Sequence, residues 1–140
     1  MSDVHIDVEL LSGSLFEAKS ATTGATLRIE GPATVMGTGS AMRPTEALLA
    51  SLAACSSVDI VKILAQQKEP LQGLSIKIVG TRADAIPAVF TRIHLVFTLR
   101  GPIAENKARR AVALSAEKYC SITKMLEPTV AITHEVLLEP

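Results

Sequence analysis

Pro44-Thr45-Glu46-Ala47-Leu48-Leu49-Ala50-Ser51-Leu52-Ala53-Ala54-Cys55-Ser56-Ser57-Val58-Asp59-Ile60-Val61-Lys62-Ile63-Leu64-Ala65-Gln66-Gln67 is the stretch that decides the fold. Its proline stands where a helix tolerates one, in the first turn, because the missing N–H has no intrahelical partner there. Leu48, Leu49, Leu52, Ile60, Val61, Ile63 and Leu64 spread widely around the helical circumference, and a helix that is apolar nearly all round is a buried one. The interleaved Ala50, Ser51, Ala53, Ala54, Ser56 and Ser57 are small enough to let a neighbouring backbone come close. The expectation is a central helix from Pro44 to about Gln67.

Such a helix needs cover on every side, and the flanking sequence supplies strands. Val4, Ile6, Val8 and Leu10 alternate with His5, Asp7 and Glu9, the period of a half-buried strand. Leu15 to Ser20 and Ala25 to Glu30 read as two further strands, divided by turns at Ser12-Gly13-Ser14 and Thr22-Thr23-Gly24. Gly31 to Ser40 reads as loop. Beyond the helix, Leu74 to Gly80 and Ala88 to Arg100 are strands, and Glu105 to Tyr119 is an amphipathic helix. After Cys120-Ser121 a short helical piece runs to about Leu126 and stops before Pro128, and Thr129 to Leu138 closes the chain as a strand. The order β-β-β-α-β-β-α-(α)-β groups strands instead of alternating them with helices, which favours an α+β fold with largely antiparallel pairing. Covering the central helix takes two sheets, or one sheet and a partner subunit, so an intertwined homodimer is expected.

Composition narrows the function. The chain has 140 residues, 14 Lys and Arg against 14 Asp and Glu, and 3% aromatic residues without Trp. A zero net charge lacks the basic excess of a nucleic-acid binder, and so few aromatics argue against base-stacking platforms. The longest charge-free windows, Ala47 to Val58 and Gly31 to Met42, are shorter than the about 20 residues of a membrane span, so none is expected. The first residues carry neither a basic nor an apolar run, so no signal peptide is expected and the cytoplasm is the default location. In a reducing compartment two cysteines are more often free or redox-active than structural.

Those cysteines are Cys55, in mid-helix, and Cys120, at a helix-to-helix junction. Each has a plain reading as a small buried hydrophobe. A reactive reading needs a thiolate, favoured by a nearby cation or a helix N-terminus. The two are 65 residues apart, so they form neither a C-x-x-C motif nor a zinc pattern. Asp59 lies one turn beyond Cys55 on the same helical face. Glu46 lies nine residues before it, on the opposite face of an unbroken helix, and reaches Cys55 only through a break or a partner subunit. His5, His94 and His134 fall in strands without metal-site spacing. Gly31, Gly37 and Gly39 form no phosphate loop, so neither cofactor nor metal is expected.

Pro44-Thr45-Glu46-Ala47-Leu48-Leu49 with Ala53-Ala54-Cys55-Ser56-Ser57, together with Ser115-Ala116-Glu117-Lys118-Tyr119-Cys120-Ser121 and Ile132-Thr133-His134, resembles the OsmC/Ohr family of osmotically induced and organic hydroperoxide resistance proteins. The match covers roughly residues 40–136 and looks most like the YhfA-type branch, in which the glutamate comes one residue after the position directly following the proline. The resemblance implies one OsmC-like domain over residues 1–140, with mostly antiparallel sheets wrapped around a buried central helix. It implies an intertwined homodimer with active sites at the subunit interface. It also implies a thiol-dependent peroxidase for organic hydroperoxides. Cys55 matches the attacking cysteine, which becomes a sulfenic acid. Cys120 matches the resolving one, which closes an intramolecular disulfide, and an external thiol or dithiol restores the pair. Glu46 matches the family glutamate that holds an activating N-terminal arginine. No arginine precedes Arg28 here, which leaves Arg43 and Arg92 as the candidates for that role. A non-catalytic protein of the same fold, binding a small apolar ligand or sensing thiol stress, is the alternative.

Overall fold

A computed structural model describes the whole chain, Met1–Pro140. The elements are β1 (Ile6–Ser12), β2 (Leu15–Ser20), β3 (Thr26–Glu30), a short 3-10 turn (Ala33–Val35), α1 (Pro44–Gln66), β4 (Gly73–Arg82), β5 (Phe90–Arg100), α2 (Glu105–Leu114), a wide turn (Ser115–Tyr119), α3 (Ser121–Leu126) and β6 (Ala131–Glu139). This is the expected α+β order. Contacts gather in two units, Met1–Leu48 and Leu49–Pro140, described in turn.

In the first unit β1, β2 and β3 form an antiparallel meander. The register sets Leu10 opposite Phe16 and Phe16 opposite Ile29, with Val8, Ala18 and Leu27 in the next row. Side chains alternate along a strand, so these apolar residues share one face and Glu9, Glu17 and Arg28 share the other. There Arg28 Nε lies 3.2 Å from Glu17 Oε2. The alternation read in β1 is real, but the strand is not half-buried: Val8 is 62% and Leu10 55% exposed. Three strands supply one layer, and a sheet face is buried only against a second layer.

The segment after β3 is held by one carboxylate. Glu30, 3% exposed, accepts from Thr38 Oγ1 at 3.0 and 3.3 Å, from the Gly39 N–H at 2.9 Å and from the Ser40 N–H at 3.2 Å. Burial works against the charge, but the bonds from Thr38, Ser40 and Gly39 outweigh it and hold the Glu30 carboxyl below its ordinary value. Gly37 is required in this turn, since a Cβ there would overlap the Gly31 carbonyl and the Pro32 backbone. The start of α1 carries the glutamate half of a capping box: Glu46 Oε1 accepts the Arg43 N–H at 2.8 Å, and the Arg43 carbonyl accepts the Ala47 N–H in the first helical bond.

The second unit holds a sheet of order β4-β5-β6. β4 and β5 are antiparallel, whereas β5 and β6 are parallel, within the largely antiparallel pairing expected. The reason is topological: the connection from β5 to β6 carries α2, the wide turn and α3, long enough for a crossover back to the same end of the sheet. Ile93, Leu95, Phe97 and Leu99 of β5 point into the core, alongside Leu52, Ile60 and Leu64 of α1 and Ala108, Ala111 and Val112 of α2. Each large side chain so buried is worth about 1.5–3 kcal/mol.

α1 is buried along the row Leu52, Ser56, Ile60 and Leu64, not all round, since Val58 is 67% and Val61 49% exposed. Its length and composition are those of a helix able to cross a bilayer, but this row faces the protein core, as in the core helix of a globular fold.

Two stability measurements check this description. Leu52→Ala removes a fully buried side chain and is expected to destabilise by about 2–5 kcal/mol in urea unfolding. For Glu30, a depressed carboxyl contributes stability above the unfolded value of about 4.3, and that contribution is lost as pH falls through the folded value. Glu30→Gln should therefore lower stability at neutral pH and flatten its fall in acid, read from melting curves across pH.

Candidate functional site

The regular part of α2 ends at Leu114, earlier than the sequence suggests. Ser115–Tyr119 winds one wider turn, in which the Cys120 N–H reaches back five residues to the Ser115 carbonyl at 2.9 Å. Such a turn inserts one extra residue per winding and swings the downstream chain sideways. It is anchored by Ser115, 1% exposed, whose Oγ donates to the Ser56 carbonyl on α1 at 2.9 Å.

Cys120 then leaves the helical conformation (φ −73°, ψ 108°) and becomes the N-cap of α3. Its sulfur does what an N-cap oxygen does, accepting the Thr123 N–H at 3.4 Å. Ser56 Oγ lies 3.4 Å from the same sulfur and 3.0 Å from the Leu52 carbonyl. Ser56 is thus a hydroxyl with two acceptors in reach and one proton to give.

Both cysteines are free thiols, Cys120 fully buried and Cys55 partly so. The two thiols act on each other's ionisation, and they do so unequally. Burial pushes the Cys55 thiol up, against the Ile122 and Ser121 N–H groups, and the hydrogen bond and charge of Cys120 add to the rise. Burial also opposes ionisation of Cys120, but hydrogen bonds from Ser56, Thr123 and Cys55 outweigh it and bring that thiol below its ordinary value. Of the two thiols, Cys120 is therefore the readier to lose its proton.

The structure brings together Cys55 and Cys120 of the candidates read from the sequence. Glu46 is not with them along α1: the helix is unbroken, so Glu46 sits on the opposite face from Cys55 and caps the helix start. Arg43 is the residue so capped, and with Glu30 and Glu46 it lines a cavity of about 480 Å³ in the first unit. Arg92 is exposed on β5, between Thr81 and Ala131. Asp59 lines a cavity of about 330 Å³ one turn beyond Cys55. The histidines are satisfied or open: His94 Nδ1 lies 2.7 Å from Thr133 Oγ1 and Nε2 3.4 Å from Glu135, His134 meets the Phe97 ring edge-on, and His5 is exposed. No cluster of three or more metal-ligating side chains forms.

Ser56, Ser115 and Thr123 were not singled out by the sequence reading. The signal for Thr123 was present, since a polar residue followed by a short helix marks an N-cap with its partner three residues on. For the two serines there was none, because their roles arise only when the wide turn meets α1.

Residues 37–135 match the family model described as OsmC-like protein. Protein YhfA of Escherichia coli strain K12 is 40% identical over 92 residues, which cover 65% of this chain and 69% of that protein. A hypothetical protein from Aquifex aeolicus VF5 superposes with a TM-score of 0.84 at 27% identity, over the whole of both chains. An organic hydroperoxide resistance protein OsmC from Legionella pneumophila superposes with a TM-score of 0.72 at 20% identity, over 98% of each chain, a likeness of fold.

The polarity of the pair is open to titration by thiolate absorbance. Cys55→Ser, which keeps Cys120 and replaces its thiol donor by a hydroxyl, is expected to ionise at lower pH than Cys120→Ser. Adding Ser56→Ala to Cys55→Ser should move the titration up. A titration that ignores Ser56 would contradict the assignment.

Proposed function

This chain belongs to the OsmC-like protein family, and from that premise we propose that it is a thiol-dependent peroxidase that reduces organic hydroperoxides in oxidative stress defence. The observation that carries the reading is a pair of free thiols set together where Cys120 meets α1 at Ser56, the residue next to Cys55. Exposure supports one division of roles. A fully buried sulfur cannot meet a bulky peroxide first, so Cys55 attacks and Cys120 resolves.

The chemistry turns on the shared proton. Cys120 thiolate takes the proton of Cys55, and the resulting Cys55 thiolate attacks the terminal oxygen of the hydroperoxide. The O–O bond breaks, Cys55 becomes a sulfenic acid, and the alkoxide leaves as the alcohol with the proton that Cys120 returns. Cys120 thiolate then attacks the Cys55 sulfur and expels hydroxide, leaving a disulfide. Two equivalents of external thiol reduce that disulfide and are themselves oxidised to one. Neither metal nor cofactor enters these steps.

The raised Cys55 thiol favours a second reading, a redox sensor of the same fold that reacts slowly. Two free thiols suit a reducing compartment such as the cytoplasm. An intertwined homodimer is part of the proposal: the apolar face of the β1–β3 sheet and the Val58 and Val61 flank of α1 are the surfaces a second copy covers. Because α1 is unbroken, any part Glu46 plays at the thiols requires that second copy.

Cumene hydroperoxide consumption with excess dithiol tests the activity. Cys55→Ser should lose about 10³-fold or more, as when a nucleophile is removed, while Cys120→Ser should still form a sulfenic acid that a dimedone probe traps. Consumption no faster than by free thiol would leave the sensor. Light scattering should give twice the 14.8 kDa chain mass, and Val58→Asp with Val61→Asp should lower it.

A further inference from the structure

Between α1, α2 and the turn that follows lies a cavity of about 330 Å³ whose walls include Asp59, Lys62, Gln67, Arg110 and Tyr119. Two of these residues tie it to the cysteines. Asp59 is one turn beyond Cys55 on the same face of α1, about 6 Å along the axis, and Tyr119 immediately precedes Cys120. The cavity thus has one wall a helical turn from Cys55 and another one residue from Cys120.

Its charges are uncommitted. Lys62, Arg110 and Asp59 enter no ion pair of the chain, unlike Lys107 with Glu69, Arg109 with Glu105 or Lys124 with Glu127 nearby in sequence. Gln67 contributes a buried amide oxygen with no donor, a state that native structures seldom leave uncompensated. Two cations, one carboxylate, a phenol and an amide in need of a donor, set beside Ile63 and Leu114, make a receptor for a charged ligand with an apolar part.

We propose that this cavity binds the reducing thiol, and that the thiol is an acidic peptide-like one bearing two carboxylates and one ammonium. Lys62 and Arg110 each take a carboxylate, Asp59 takes the ammonium, and the Gln67 amide turns to accept a peptide N–H. The inference rests on the peroxidase reading for its purpose but on the cavity for its chemistry. The bound thiolate attacks the Cys55 sulfur of the disulfide, forming a mixed disulfide and releasing Cys120 thiolate. A second thiol displaces the first as a disulfide and restores Cys55. Attack at Cys55 is the accessible route because Cys120 is fully buried.

Glutathione and its S-methyl derivative are the probes. Calorimetry on the Cys55→Ser/Cys120→Ser protein, where no exchange can occur, should give saturable binding of S-methylglutathione below about 10 mM. Lys62→Ala, Arg110→Ala and Asp59→Asn should each weaken it about tenfold. In the native chain, a disulfide made with diamide should be reduced faster by glutathione than by 2-mercaptoethanol at equal thiolate. The Lys62→Ala/Arg110→Ala protein should lose that preference and keep its 2-mercaptoethanol rate. No saturable binding, or binding indifferent to all three substitutions, overturns the proposal. Because diamide makes the disulfide, the outcomes separate. Binding without peroxide consumption sinks the peroxidase reading and leaves the site. Peroxide consumption without binding sinks the site alone.

Discussion

The Ser115 hydroxyl donates to the Ser56 carbonyl, 2.9 Å away, and so fixes where the turn after α2 meets the central helix. Both groups are buried, Ser115 at 1% and Ser56 at 3% exposure, where an unmade hydrogen bond costs about 1–3 kcal/mol. The bond therefore pins the one place at which α2 abandons its regular winding. A continued α-helical turn would carry Cys120 around the helix by a different angle and away from Ser56. The wide turn instead delivers its sulfur to within 3.4 Å of Ser56 Oγ and of the Thr123 N–H.

That delivery makes the two cysteines unequal although they are the same side chain. The Thr123 N–H donates to the Cys120 sulfur and the Ser56 hydroxyl lies within reach of it, and together with Cys55 they lower its proton affinity. The more buried sulfur is thus the better solvated by protein dipoles, and the more exposed one keeps its proton until a partner takes it. Burial and acidity are usually opposed in a thiol. Here the N-cap geometry and the Ser56 hydroxyl reverse the order, and the reversal gives the pair a direction.

The sequence made the elements and their order legible, because Pro44, the period of the strands, the turns at Ser12-Gly13-Ser14 and Thr22-Thr23-Gly24 and the break at Pro128 are local signals. It did not disclose what depends on a second layer. The alternation of β1 predicts a buried face, yet Val8 and Leu10 stay exposed. The apolar circumference of α1 predicts burial all round, yet Val58 and Val61 face outward. Periodicity records which residues want cover, not what provides it. At the site, the cysteines were legible from their motifs and their contact was not. The Ser115–Tyr119 turn is what makes the contact, and its residues read as ordinary helix.

Parallel pairing of β5 with β6 has a further consequence. The segment between them, from Gly101 to Val130, is an excursion that begins and ends on the same sheet, with the Gly101 N–H itself bonded to the Glu139 carbonyl. Its end points are set by the ladder, so its interior can vary in length and winding without shifting the sheet by a residue. Cys120 and its Thr123 donor ride on this excursion, whereas Cys55 and Ser56 are built into the core helix. One half of the thiol pair is thereby placed by the central helix and the other by a crossover whose own residues, Cys120 included, are part of the core. The spacing and acidity of the pair are set where that crossover is packed against the helix, so they are tied to the integrity of the core itself.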